Sequence, residues 1–249
     1  MKLYRVIEFI ILFFALFLTS CSSVDRKQVT DARDPFENSN RNIYAFNNSL
    51  DSLILEPIAL GYNNVIPKYA KTAISNHVSW AALPNTALNS GLQNKWENAA
   101  ISSLHFSINA LTFGTMNLVD GDKPAVRQDF GQTLSGFGVP QGPYIVLPIT
   151  GGKTSRHAFA EILNLILNPY SVFEKNEQIT NVFSFQPVLS SISWRANNFD
   201  FINDIKYNSL DAYVRARSAY YQNRFGNMQE NNDVPSEADS LFENLNIEG

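Results

Sequence analysis

The sequence predicts an all-α domain, and two observations carry that prediction. Apolar residues recur at spacings of three and four along most of the chain, the period of one helix face. No segment shows the sustained alternation of a half-buried strand, apart from Tyr144 to Leu147, which fit a single short strand. Residues 34–226 read as six to eight helices, in a length that suits one domain with a real core.

The first helix starts sharply. Asp34 can cap it, Pro35 suits its first turn, and Glu37 completes a capping-box pattern. Phe36, Ile43, Phe46, Leu50 and Leu53 then follow on one face, and Pro57 is expected to end the helix. A second helix opens at Pro67, with Ala70, Ile74 and Val78 on one side. A short third begins near Asn85. A longer one begins around Trp96, carries Ile101, Leu104, Ile108 and Leu111, and stops at Gly114.

From Gly114 to Gly152 the character changes. Eight glycines and four prolines interrupt a stretch that is nevertheless apolar, with Phe130, Leu134, Phe137, Val139, Tyr144, Val146 and Leu147. Loops normally face water, so a loop this apolar is expected to be covered by protein or membrane. Ser155 can then cap a helix bearing Phe159, Ile162, Leu163 and Ile166, halted by Asn168-Pro169. An irregular stretch follows, then a helix from Asn198 to Tyr207 and a last one from Leu210 to Arg224, closed by Gly226.

The two ends differ from the body. Lys2 and Arg5 precede an apolar run from Phe9 to Leu18, followed by Leu18-Thr19-Ser20-Cys21. A charged start, a short apolar stretch and small residues at the cut describe a secretory signal peptide over residues 1–20. The run is too short for a membrane span, which needs about 20 residues. Leu-Thr-Ser-Cys resembles the lipobox of bacterial lipoproteins, in which the cysteine is acylated. The alternative is an ordinary signal peptide with a chance cysteine. Cys21 is the chain's one cysteine, so it has no internal disulfide partner, and a lone thiol in an exported protein needs an explanation. Residues 21–33 read as a polar tether. Residues 227–249 carry six carboxylates and no lysine or arginine, and read as an acidic, disordered tail.

The whole chain has a formal charge of −4, and the six carboxylates of that tail more than account for it, which leaves residues 21–226 close to neutral. A near-neutral body argues against nucleic acid, whose phosphates demand a basic face. His77, His105 and His157 lie in separate segments, with no metal-ligand spacing. The chain has no Gly-x-Ser-x-Gly elbow, and Gly136-x-Gly138 has neither a following phosphate-loop lysine nor a preceding strand. No constellation meets the requirements of a catalytic site, so the chain is expected not to be an enzyme.

Several motifs occur together. Asp34-Pro35-Phe36-Glu37 is followed by Asn40-Arg41, Phe46-Asn47 and Pro57. Asp129-Phe130-Gly131-Gln132-Thr133-Leu134 continues as Gly138-Val139 and Gly142-Pro143-Tyr144-Ile145-Val146-Leu147-Pro148. Tyr213, Arg217, Tyr220, Gln222 and Arg224 close the series. Over residues 34–226 the chain resembles the MlaA (VacJ) outer-membrane phospholipid-transport lipoproteins. It departs from their common pattern at Asn117, Ser135 and His157.

The resemblance implies a single ring-like helical domain, monotopic in the inner leaflet of the outer membrane and facing the periplasm, with the Gly/Pro-rich apolar segment at a channel. It implies that phospholipids mislocalised in the outer leaflet pass through this channel to a soluble periplasmic carrier (MlaC-like), which maintains lipid asymmetry. It further implies that trimeric porins hold the ring, that no cofactor is involved, and that Ser22 after the acylated cysteine permits sorting to the outer membrane. On this reading Gly136, Gly138 and Gly142, with Pro143, form a flexible wall, and Tyr144, Val146 and Leu147 line or flank the lipid path. A static buried loop is the alternative. Asp34 and Glu37 are read as a helix cap or as anchors of a gate near the tether. A lipoprotein that scaffolds a porin without moving lipid is the competing function.

Overall fold

The computed structural model describes residues 31–119, 123–167 and 177–230. The signal segment, Cys21, most of the tether and the tail beyond Glu230 lie outside them. The fold is helical with one small hairpin. Helix α1 spans Glu37–Leu50 and passes through a π turn, Asp51–Leu55, into α2, Glu56–Val65. Pro57 therefore does not end the first helix as expected. The π turn lies immediately before it, and Glu56 N–H donates to the Asp51 carbonyl five residues back. Widening one turn lets the helix pass a residue that has no N–H and would crowd the carbonyl four residues earlier.

Helix α3, Lys68–Leu92, starts after Pro67 and runs 25 residues with Pro84 inside it. The separate short helix expected near Asn85 is the last part of α3. A tight turn with Asn94 at φ 59° leads into α4, Trp96–Asn109, which packs along α3. A 3-10 turn at Ala110–Thr112 and two left-handed residues, Phe113 and Gly114, end it. Gly114 is obligatory here. Its φ is +69°, and a Cβ would sit 2.4 Å from Cβ of Trp80.

The glycine-rich middle holds more structure than expected. Asp129 caps a seven-residue helix, α5 (Phe130–Gly136), in a full capping box with Gln132. Tyr144–Leu147 is indeed a strand, β1. It pairs antiparallel with β2, Gly151–Thr154, with Tyr144 opposite Thr154 and Leu147 opposite Gly151. Helix α6, Ser155–Ile166, is capped by Thr154 rather than by Ser155, since the Thr154 hydroxyl accepts from His157 N–H. The stretch expected to be irregular contains α7, Glu177–Asn197. Helix α8 is Phe199–Asn208. Helix α9, Ala212–Glu230, continues past Gly226, so the described residues form nine α-helices rather than six to eight.

These elements close on one another. Helix α1 packs on the hairpin, β2 on α6, α6 on α5, α5 on α3, α3 on α7 and α7 on α2, which returns through the π turn to α1. This circuit is the ring-like domain. Among the described residues no helix is long and apolar enough to cross a membrane.

Burial is inverted. Among the described residues sixteen polar or charged ones are buried, against twelve hydrophobic ones, five of which are alanines. Thirty large hydrophobic residues are exposed, among them Leu111 at 81 % and Ile149 at 80 %. Exposed apolar area on this scale marks a surface that meets lipid or a partner.

Gly114→Ala is expected to lower stability in detergent by about 3 kcal/mol or to prevent folding, through overpacking and a strained φ. Gly61→Ala lies in α2, with nothing within 4 Å of the added Cβ, and should be neutral or raise stability by up to about 1 kcal/mol. Thermal unfolding of both variants in the same detergent checks this. Equal midpoints would remove the Trp80 contact as the cause.

Candidate functional site

The polar interior is organised by three ionic clusters. In the first, Asp34 has no exposed surface. Its carboxylate accepts from Asn40 Nδ2 at 2.7 Å, from Arg217 Nη1 at 2.5 Å and from the Tyr213 hydroxyl. Asp34 is thus not the side-chain cap expected of it. The residue before α1 is Phe36, which makes no capping bond, and Asp34 ties the entry of α1 to α9. Arg217 also lies 3.4 Å from Asp31 and 3.6 Å from Glu37. Burial, then the bond to Asp34, push the Tyr213 phenol far above its ordinary value, so it remains a donor.

Two asparagines fix α1 to the hairpin. Asn40 donates to the Tyr144 carbonyl at 3.1 Å and accepts from Val146 N–H at 2.8 Å. Two turns on, Asn47 donates to the Leu147 carbonyl at 2.9 Å and accepts from Ile149 N–H at 2.8 Å. Each amide satisfies a donor and an acceptor along the outer edge of β1, where Tyr144 N–H also donates to the Arg33 carbonyl at 2.8 Å. Arg41 bridges Glu37 and Asp211. Asp34, Glu37, Asn40 and Arg41 therefore share one site. Pro35 lies in the turn that leads into it, and Phe36 is half exposed.

The second cluster joins α5 to α9. Arg224 holds Asp129 through bonds of 2.5 and 2.8 Å. Burial pushes the Asp129 carboxyl up, but the Arg224 guanidinium outweighs it and holds the group at about 2. Nearby, Tyr220 meets Thr154 N–H and Nδ1 of His157, and Arg156 donates to the Val139 carbonyl at 2.7 Å. Burial, then Arg224, depress the His157 imidazole, which keeps the ring neutral at pH 7. The third cluster sits at the π turn. Asp51 and Glu56 face Arg195 and Lys206, with Asp51 2.8 Å from each cation. This cluster left no signal in the sequence, because its members are far apart and only the π turn aims Asp51 inward.

The glycine segment divides. Gly138 has φ +78° with nothing within 4 Å of a Cβ position, and Gly136 is equally open. Gly142, beside Pro143, is wedged, and a Cβ there would lie 2.0 Å from Ser155 Oγ. Tyr144 and Val146 are 2 % exposed and pack with Tyr213 and Tyr221 as the buried core, while Leu147 is half buried. Tyr144 and Val146 thus belong to the packed core.

An open cavity of about 260 Å³ lies elsewhere, between α3, α4 and the segment after Gly114. Its wall combines Trp80, Leu83, Met116 and Val119 with Asn76, Ser79, His105, Asn109 and Asn117. No residue of the Gly136–Leu147 segment lines it. The sequence signal that was missed is polar spacing on apolar helices. His105 and Asn109 are four apart on α4, and Asn76, Ser79 and Trp80 occupy adjacent turns of α3.

The model of the MlaA lipoprotein family matches residues 32–226. The chain belongs to the MlaA lipoprotein family. An uncharacterised Rickettsia felis protein is 37 % identical over 201 residues, spanning 79 % of this chain and 78 % of the relative. The Haemophilus influenzae intermembrane phospholipid transport system lipoprotein MlaA is 29 % identical over 218 residues, 84 % of this chain and 85 % of that one. The Escherichia coli protein of the same name is 28 % identical, with 82 % of each covered. A solved structure reported as the structural basis for maintenance of bacterial outer membrane lipid asymmetry aligns with a TM-score of 0.63 at 29 % identity, over 76 % of this chain and 96 % of that one. The three ionic clusters thus belong to an MlaA fold, and they hold its helical circuit closed.

The Asp129–Arg224 pair sets an acid limit. A carboxyl held below its free value of 3.8 contributes stability that is fully present above that value and lost as pH falls toward about 2. A third of the Asp129 side chain stays exposed, so screening trims the contribution to about 1 kcal/mol. Asp129→Asn, which can still cap α5, should show a shallower loss of stability between pH 4 and pH 2 than the unaltered protein. Parallel slopes in a pH series of unfolding midpoints would sink this assignment.

Proposed function

We propose that this chain is an outer-membrane lipoprotein that withdraws phospholipids from the outer leaflet and passes them to a soluble periplasmic carrier, while a trimeric porin holds it in place. The observation that carries this reading is the inverted burial. A body whose ions are inside and whose large apolar side chains are outside is suited to a lipid surround. The helical circuit, with no helix among those described long enough to span, is suited to one leaflet. Membership in a family whose relatives bear the name of phospholipid transport supports the direction of the argument. The open, half-polar cavity favours transport over a porin scaffold that moves no lipid, because a scaffold has no use for a path.

In this reading Cys21 is acylated and the inner leaflet holds both anchor and body. Gly136 and Gly138 leave the turn after α5 room to move. Gly142 and Pro143, locked by Ser155, form its fixed end. Tyr144, Val146 and Leu147 are the packed floor on which that turn is mounted.

Two experiments bear on it. Deletion of the protein should raise phospholipid in the outer leaflet, read by a surface-acting lipase or palmitoyl transfer in intact cells, and re-expression should lower it. Unchanged surface phospholipid would leave only the scaffold. Cys21→Ala protein, unacylated, should still partition into membranes or detergent, and free solubility in the periplasm would refute a body embedded in the leaflet.

A further inference from the structure

The α3–α4 cavity carries an inference about which lipid is taken, one that rests on the transport reading. Four polar groups in its wall have no partner among the described residues: Asn76 Oδ1, Ser79 Oγ, the His105 ring and Asn117 Nδ2. The remaining amide atoms are used. Asn76 Nδ2 donates to the Thr115 carbonyl, and Asn109 Oδ1 accepts from Leu118 N–H. The wall therefore offers both donors and acceptors. Among the described residues that line it there is no lysine, arginine, aspartate or glutamate.

Apolar side chains flank the lining. Met116 lines the cavity, and Leu104, Phe113, Leu118 and Val126, each a chain neighbour of a lining residue, are all exposed, as is Lys123, which is paired with Glu97 at 2.6 Å. The volume corresponds to about nine waters. That accommodates a headgroup with its glycerol backbone and leaves no room for two acyl chains.

We propose that this cavity is a headgroup site for phospholipids of no net charge, the phosphoethanolamine type, with the acyl chains lying outside against the flanking apolar side chains. A phosphate there meets the donors of Ser79, His105 and Asn117. An ammonium meets Asn76 Oδ1 and the Ser79 oxygen. A zwitterion brings its own counter-charge into the partly desolvated wall. A net anion brings none, and a wall without a fixed cation does not supply one.

The test uses the full-length lipoprotein in detergent, with Trp96→Phe and Trp194→Phe so that Trp80 in the cavity wall is the sole tryptophan. Trp80 fluorescence is titrated with dihexanoyl phosphatidylethanolamine and with dihexanoyl phosphatidylglycerol. A saturable response with Kd at least tenfold lower for the ethanolamine lipid is expected. Ser79→Phe, which fills the cavity, should abolish it. Ser79→Lys, on an exposed position of α3 that makes no hydrogen bond, should shift the preference toward phosphatidylglycerol. Equal affinities, a response that survives Ser79→Phe, or no effect of Ser79→Lys on the preference each overturn the proposal. If Trp80 stays silent while the protein retains labelled phospholipid on gel filtration, the cavity is wrong and transport stands. If no phospholipid is retained and surface phospholipid is unchanged in deleted cells, the transport reading itself fails.

Discussion

Asp34 is a carboxylate with no exposed surface, and three donors from two distant segments converge on it. An isolated ion in that position would cost several kcal/mol even after relaxation, so Arg217 is required once Asp34 is buried. The pair then does what an apolar core does elsewhere: it brings residues 183 positions apart into fixed register. Removing Arg217 would leave the Asp34 carboxylate buried with neutral donors alone, which is more damaging than the net worth of the bond, whereas Arg217 without Asp34 keeps Asp31 and Glu37. Because the large apolar side chains lie outside, hydrophobic burial in water contributes less to this fold than to a soluble one. Directional polar contacts carry the specificity instead.

The same constraint recurs around the circuit. Asp129 and Arg224 attach α5 to α9, Asp51 and Glu56 attach the π turn to α7 and α8, and Asn40 and Asn47 attach α1 to the hairpin. These joints are closed by charge pairs or bifunctional amides, and Thr133 of α5 joins Asn89 and Gln93 at the end of α3 through neutral hydrogen bonds. The irregular backbone is placed accordingly. The π turn at Asp51 is where a carboxylate must face inward, and the left-handed Gly114 is where the backbone must pass flush against Trp80. Non-helical backbone at membrane depth is tolerated when protein or a water-filled cavity covers it. Gly114 meets that condition, since it is buried and lines the cavity.

What the sequence revealed follows from the same division. Helix faces were legible at α1, α4, α6 and α8, because an apolar stripe at helical period reads the same whether it meets a core or a bilayer. Proline was misread at Pro57. Its local preference ends helices in water, but at Pro57 a long helix held by neighbours absorbs the lost hydrogen bond through a π turn, and α3 likewise runs on through Pro84. Tyr144 and Val146 were read as lining or flanking a path, with a static buried loop as the alternative, and both sit in the buried core. An alternating apolar strand in a glycine-rich loop fits a channel wall as well as a packed floor, and the buried tyrosines of α9 that decide between them lie about 70 residues away. Asp34 looked like a cap because capping needs only local sequence, while its true partners on α9 are invisible locally.

The anchoring geometry adds a constraint on how such a body can sit. Asp31 is bonded to Arg33 and lies against Arg217, so the chain is fixed from this point onward. Ten residues separate it from Cys21, a reach of at most about 35 Å when fully extended. One leaflet of hydrocarbon is about 15 Å deep, half of a typical core. Under the proposed acylation, lipid chains on Cys21 would have enough slack to enter the leaflet beside the body, and too little to let the body roam far from the membrane. With Phe36, Phe46, Leu53 and Ile54 exposed along α1 and the turn after it, the segment that follows this fixed point already presents apolar side chains. Acyl anchor and helix surface would then lie in one slab of hydrocarbon, and the lipid's role would be to set the orientation of an embedded ring rather than to supply its affinity for the membrane.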